Sequence, residues 1–197
     1  FPAGVLCSFP PMQSSAEDAG RVLWCVDETR SSHTIALWVS SPARPDLTHL
    51  VEQAGWPTAN DPWQTQSLVP LLDRLQKGQE WVFRLTANPV RSVRPEGGGR
   101  GKRYGHVTLE QQEGWLRDRS AGAGFEVLLA GVTGRRQVSF TRRSDGAERS
   151  VTFRQATFDG VLRVDDPTLL RDSLVSGIGR AKGYGCGLLT LAPPRSS

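Results

Sequence analysis

The sequence predicts an α+β fold of two tandem βαββαβ units, with the first strand of the N-terminal unit missing from the chain. Three observations predict it. The second half orders as helix, strand, strand, strand, helix, strand, and a half-buried strand at Trp81–Ala87 precedes it. The first half opens on a helix end and continues into two strands joined by a turn. A length of 197 residues with 38% apolar content suits two small cored units and excludes a disordered tail or a coiled coil. No sequence repeat links the halves, so the prediction rests on pattern.

Each element has its own signal. Val5-Leu6-Cys7 up to Phe9-Pro10 reads as a helix end stopped by two prolines. Val22–Val26 and Thr34–Ser40 read as strands joined through Glu28–Ser32. Residues 41–66, rich in Pro, Asp and Trp without a period, read as a surface excursion, and Leu68–Leu75 as a short helix limited by Pro70. Trp81–Ala87 alternates and ends at Asn88-Pro89, and the Gly- and Arg-rich stretch Arg91–Arg103 reads as a mobile basic loop. Thr108 is positioned to cap a helix over 109–120, with Gln111 three residues on and Gly122 and Gly124 at its end. Phe125–Ala130 is a strand. Arg136–Arg143 and Ser150–Arg154 form two arms around the turn signal Ser144-Asp145-Gly146, and Ala156–Val164 is a further strand. Asp166-Pro167 opens a helix to about Val175, and Leu188–Ala192 closes as a strand. These elements divide into an N-terminal unit over 1–90, a basic linker over 91–108 and a C-terminal unit over 109–197.

Charge is unevenly distributed. The 24 basic residues comprise 21 Arg and 3 Lys against 20 acidic ones. Residues 84–163 hold 15 basic and 8 acidic side chains, net +7, and the rest holds 9 and 12, net −3. Such clustering marks either a polyanion binder or a solvated face. No apolar stretch reaches the roughly 18 residues a membrane helix needs. Cys7, Cys25 and Cys186 form an odd set without Cys-x-x-Cys or His spacing, so neither a disulfide framework nor a metal site is expected. That usage fits a reducing cytoplasm. No signal peptide is expected, because no charged stretch leads into an apolar core at the start.

The peptide Ser176-Gly177-Ile178-Gly179-Arg180-Ala181-Lys182-Gly183-Tyr184-Gly185-Cys186-Gly187 is the most informative. Its glycines permit close backbone approach and an anion nest, with Arg180 and Lys182 supplying charge. A plain connector is the alternative. A dinucleotide fingerprint requires a strand before the glycines, whereas a helix precedes them here. No Gly-Lys-Ser/Thr is present for a phosphate-binding loop.

Gly177-Ile178-Gly179-Arg180-Ala181-Lys182, followed by Gly185-Cys186-Gly187-Leu188-Leu189 and Leu191-Ala192, resembles the C-terminal signature of the CasE endoribonucleases. These are the CRISPR repeat-processing subunits of the type I-E Cascade complex. Phe83-Arg84-Leu85 with Ala87-Asn88-Pro89 is similar to that family's central strand motif, and Gly101-Lys102-Arg103 to its basic loop. Phe158 with Gly160-Val161-Leu162 ahead of Asp166 resembles the strand entering the last helix. The likeness spans about residues 5–194.

The resemblance implies two ferredoxin-like domains, binding of the CRISPR RNA repeat stem-loop and metal-independent cleavage at the 3′ base of the stem. It implies products with a 2′,3′-cyclic phosphate and a 5′-hydroxyl, and retention on the product beside other Cascade subunits. A backbone subunit next to the RNA 3′ end is the particular neighbour expected; target DNA is met indirectly, and no membrane is involved. No cofactor and no metal is expected. The family's catalytic His, about seven residues before a Phe-Pro pair, falls at Pro2 or upstream of Phe1, so no catalytic residue is assigned. Among the histidines, His33 and His49 read as surface residues, and His106 beside Lys102-Arg103 is the one candidate proton carrier.

Charge and resemblance together select three RNA-binding sets. These are Arg100, Lys102 and Arg103 in the loop; Arg135, Arg136, Arg142, Arg143, Arg149 and Arg154 in the hairpin; and Gly177, Gly179, Arg180, Lys182 and Gly183 in the glycine run. The six Trp are not interleaved with these arginines and read mostly as core. The competing functions are a non-cleaving repeat-binding Cascade subunit and a general ferredoxin-like RNA-binding module. The second lacks the Lys/Arg-Gly-Phe/Tyr-x-Phe aromatic pattern of the usual RNA-recognition sheet.

Overall fold

The chain is seen in a computed structural model that describes residues 21–29, 34–54, 63–93, 102–144 and 147–194. The helix end expected before Phe9-Pro10 lies outside the described residues. The expected pair of N-terminal strands is β1 (Leu23–Thr29) and β2 (Thr34–Ser40), antiparallel from Leu23↔Ser40 to Thr29↔Thr34. The excursion after them holds a helix that its composition did not announce, α1 (Thr48–Ala54). Asp46 opens it by accepting from the Thr48 N–H and hydroxyl. The short helix α2 (Val69–Arg74) carries Pro70 in its first turn, where the missing N–H has no helical partner to lose.

Beyond α2 the elements are β3 (Glu80–Ala87), β4 (Val90–Val93), β5 (Lys102–Gly105), α3 (Leu109–Ser120), β6 (Phe125–Ser144), β7 (Ala147–Val164), α4 (Pro167–Ser176) and β8 (Leu189–Ala192). β3 pairs antiparallel with both β7 and β8, giving the order β6-β7-β3-β8. The chain order β3-α3-β6-β7-α4-β8 is therefore one βαββαβ unit, and its first strand is β3. This corrects the division at residue 90. β3 shares a sheet with the C-terminal strands, and the basic stretch 91–108 is an insertion between the unit's first strand and its first helix. β4 and β5 pair from Val90↔Gly105 to Val93↔Lys102, so the ends of the expected loop form a ribbon.

A second correction concerns strand number. The three strands expected between the helices are two long ones, because Gly131, Gly134 and Gln155 do not end strands. The register instead shifts between Val127 and Leu129 and again between Val132 and Gly134. These bulges absorb one residue each without breaking the ladder. Gly160 faces the first: a Cβ there would lie 2.0 Å from the Leu129 carbonyl oxygen.

The core forms where the helices cover one sheet face. Trp115 and Leu116 of α3 and Leu170 and Leu174 of α4 pack on Phe83, Leu85, Phe125, Phe158 and Leu162. Thr108 caps α3 as expected, in a reciprocal box with Gln111. Asp166 caps α4 by accepting from the N–H groups of Thr168 and Leu169 at 2.8 and 3.1 Å. On the other face, Arg84 holds Asp159 with two bonds of 2.6 and 2.9 Å and reaches Asp27 of β1 at 3.1 Å. Leu23 and Cys25 of β1 pack on Leu188. Of the tryptophans, Trp24 and Trp115 are buried as expected, while Trp38 is exposed. Among the described residues, no helix is long and apolar enough to cross a membrane.

Candidate nucleic-acid interface

The hairpin outruns its sheet. β3 last pairs at Ala87↔Ala156, and beyond that rung β6 and β7 continue with each other from Arg136↔Gln155 to Ser144↔Ala147. At ~3.3 Å per residue the extension reaches roughly 30 Å. Arg142 stands opposite Arg149, Arg143 opposite Glu148, and Gln137 opposite Arg154. The side chains of Lys102, Arg103, Arg142, Arg143 and Arg149 lie outside the described residues, as does the whole of Arg100. Two selected arginines, though exposed, also bond within the fold: Arg135 donates to the Val107 carbonyl, and the Arg136 Nε donates to Gln155 Oε1.

The glycine run is built by packing. Gly177, Gly179, Gly185 and Gly187 all have positive φ. A Cβ at Gly177 would meet Leu23 at 2.8 Å, at Gly179 Trp115 at 3.0 Å, and at Gly185 Trp24 at 2.8 Å. Part of the expected anion nest is spent internally, since Ile178 donates to the Gly187 carbonyl and Gly187 to that of Thr86. Gly183, in contrast, is exposed, and a Cβ there would meet nothing within 4 Å. The segment is thus neither a loose connector nor a simple nest. It is a shaped loop that presents the cations between its glycines.

Hairpin base, β4–β5 ribbon and glycine run enclose a groove of about 650 Å³. Arg21, Arg154, Arg180 and Lys182 line it with Asn88, Gln137 and Tyr184, and no carboxylate is among its described lining residues. The Lys182 Nζ donates to the Ser176 carbonyl at 2.7 Å. Burial, and then the charge of Arg21, hold its pKa below the usual lysine value. Asn88 is buried, and its Oδ1 has no hydrogen-bond partner among the described residues.

His106 is placed by its backbone, which donates to Pro89 O and accepts from Gln112 Nε2. Burial, and then the charge of Arg91, lower its pKa against a weaker opposing pull from Asp118. It adjoins the groove through Gly105 but does not line it. His33 lies outside the described residues, and His49 sits half-buried on α1.

Residues 3–193 match the family model described as CRISPR associated protein. The chain belongs to this family. The CRISPR-associated chain is 31% identical over 186 residues to CRISPR-associated endoribonuclease Cse3 of Thermus thermophilus, covering 90% of this chain and 82% of that protein. It is 32% identical over 127 residues, 61% of each chain, to the CRISPR system Cascade subunit CasE of Escherichia coli (strain K12). The fold matches that of Thermus thermophilus Cse3 bound to an RNA representing a pre-cleavage complex, with a TM-score of 0.59, 27% identity and coverage of 88% and 78%. The resemblance to CasE and the tandem ferredoxin-like fold class both stand.

In this CRISPR-associated chain the structure gathers Arg154, Gly179, Arg180 and Lys182, chosen from distant stretches, around one groove. Sequence reasoning missed three of its other lining residues and a fourth residue, Gln155, that bonds the glycine run from outside the lining. Arg21 sits outside the net-positive stretch, Asn88 reads as a strand end, and Gln155 and Tyr184 carry no motif of their own.

Proposed function

We propose that this chain is the repeat-processing endoribonuclease subunit of a Cascade-type complex. It binds the stem-loop of precursor CRISPR RNA, cleaves at the 3′ base of the stem without metal, and stays on the product beside a backbone subunit. The observation that carries this reading is the groove, with four cations and no carboxylate among its described lining residues. A polyanion is the ligand such a field concentrates. The projecting hairpin suits the stem, because A-form RNA is recognised through its backbone and shape.

The reaction needs no water. The 2′-oxygen attacks the adjacent phosphorus and gives up its proton to a base. The bond from phosphorus to the 5′-oxygen breaks, and that oxygen takes a proton. The products are a 2′,3′-cyclic phosphate and a 5′-hydroxyl. Arg180 and Lys182 would stabilise the charge gathered on the pentavalent phosphorus. Moving the two protons takes a general base and a general acid, the role that the resembled family gives to a histidine.

Incubation of the protein with its own repeat RNA in EDTA tests this. Cleavage at the stem base with a cyclic phosphate end is expected. An intact stem-loop at saturating protein would sink the nuclease and leave the binding. The position of His106 favours that second reading, a non-cleaving repeat-binding subunit. A ring that adjoins the groove without lining it is not placed to hand a proton to the leaving oxygen.

A further inference from the structure

Gln155 sits on β7 opposite Arg136, only 4% exposed. Its Oε1 accepts from the Arg136 Nε. Its Nε2 donates to the Gly185 carbonyl at 2.9 Å and approaches Cys186 Sγ at 3.5 Å. An arginine Nε only donates and a carbonyl only accepts, so the two ends fix the orientation of the amide. Glutamate would keep the acceptor and lose the donor; leucine would lose both. A second link lies alongside: Tyr184 packs on Phe140 and Phe153 of the hairpin, with ring centroids 4.9 and 6.0 Å apart.

Arg136 is exposed on the projecting hairpin, while Gly185 closes the turn that holds Arg180 and Lys182 at the groove. We infer that Gln155 is a positioning residue that couples the hairpin to the glycine run, so that RNA engaged on the hairpin orders the two groove cations. The inference rests on the RNA-binding reading above. It adds that the two basic elements act as one device through a single buried amide.

Hydrogen exchange on the full chain tests it, with and without the repeat stem-loop. The RNA carries a 2′-deoxy sugar at the cleavage position, so that it stays intact whatever the nuclease does. In the wild type, RNA should slow exchange both in 147–154 and in 179–188. In Gln155→Glu and Gln155→Leu the first protection should persist and the second fall about tenfold, the scale of one lost hydrogen bond. Thr157→Val breaks another polar contact of the same strand, to Thr86 at 3.1 Å, and should leave both protections in place. Arg136→Met, exposed and unable to donate to Gln155, should mimic Gln155→Leu and keeps the test decisive if both Gln155 variants fail to fold. Wild-type protein without RNA-induced protection defeats the RNA-binding reading. Wild-type protection retained in Gln155→Glu, or in Arg136→Met where the Gln155 variants do not fold, overturns the coupling alone.

Discussion

Residue by residue, the glycine run separates backbone need from ligand contact. Gly185 has φ +79 with buried Trp24 against it, and an added Cβ would sit 2.8 Å from that ring. Gly185→Ala should cost about 2–4 kcal/mol in a urea titration, from left-handed backbone and overpacking together. Gly183→Ala, in open space, should cost less than ~0.5 kcal/mol. If Gly183 touches RNA, its substitution changes affinity without changing stability. Lys182 gives a pH signature. Its lowered pKa means the ammonium is lost on the way up in pH before an ordinary lysine would lose it. Affinity for an uncleavable stem-loop should therefore begin to fall below pH 10.5, and Lys182→Arg should remove that limb. A limb that survives in Lys182→Arg would assign the titration to another group.

Elements with local signals were legible in the sequence, and those defined by distant pairing were not. Thr108 with Gln111 and Asp166 with Pro167 are contacts within one turn, so the caps and helices they predict are where the sequence put them. The β1–β2 pair was equally local. Trp81–Ala87 alternates as a strand does, but nothing local tells which unit it joins, because its partners are about 70 and 105 residues downstream and the ribbon β4–β5 intervenes. Within the site, the cations of the hairpin and glycine run stood out by charge, whereas Gln155 and Asn88 gain meaning from what faces them. The hairpin carries its own prediction. Replacing Arg142, Arg143 and Arg149 by Gln removes up to three phosphate contacts, so the slope of log K against log salt should flatten by about 2–3. An unchanged slope would mean that the hairpin points away from the RNA.

Across the whole molecule, Arg84 ties the N-terminal hairpin to the C-terminal sheet through Asp27 and Asp159. Burial raises the Asp159 pKa, but the bonds from Arg84 and Thr133 outweigh it and hold the carboxyl below its usual value of 3.8. A lowered folded pKa contributes stability that is present above 3.8 and lost as pH falls through the lower folded value. Arg84→Met should cost about 1–2 kcal/mol at neutral pH, discounted for the partial exposure of Arg84, and should flatten the acid limb of stability measured by thermal melts. A full-sized acid limb in the variant would place its origin elsewhere. The paired bulges of β6 bear on how the gene can vary. Each sets one unpaired residue, Leu128 or Thr133, beside an otherwise continuous ladder and bends the strand there. Deleting Thr133 would leave the pairs from Gly134↔Thr157 onward as they are and remove only the bend, so the arm would keep its register and change its direction. A one-codon deletion there should weaken RNA binding while the protein still folds, and an unchanged affinity would mean that the direction of the arm does not matter to the RNA. Among homologous genes, length changes should therefore be rare at the two bulges.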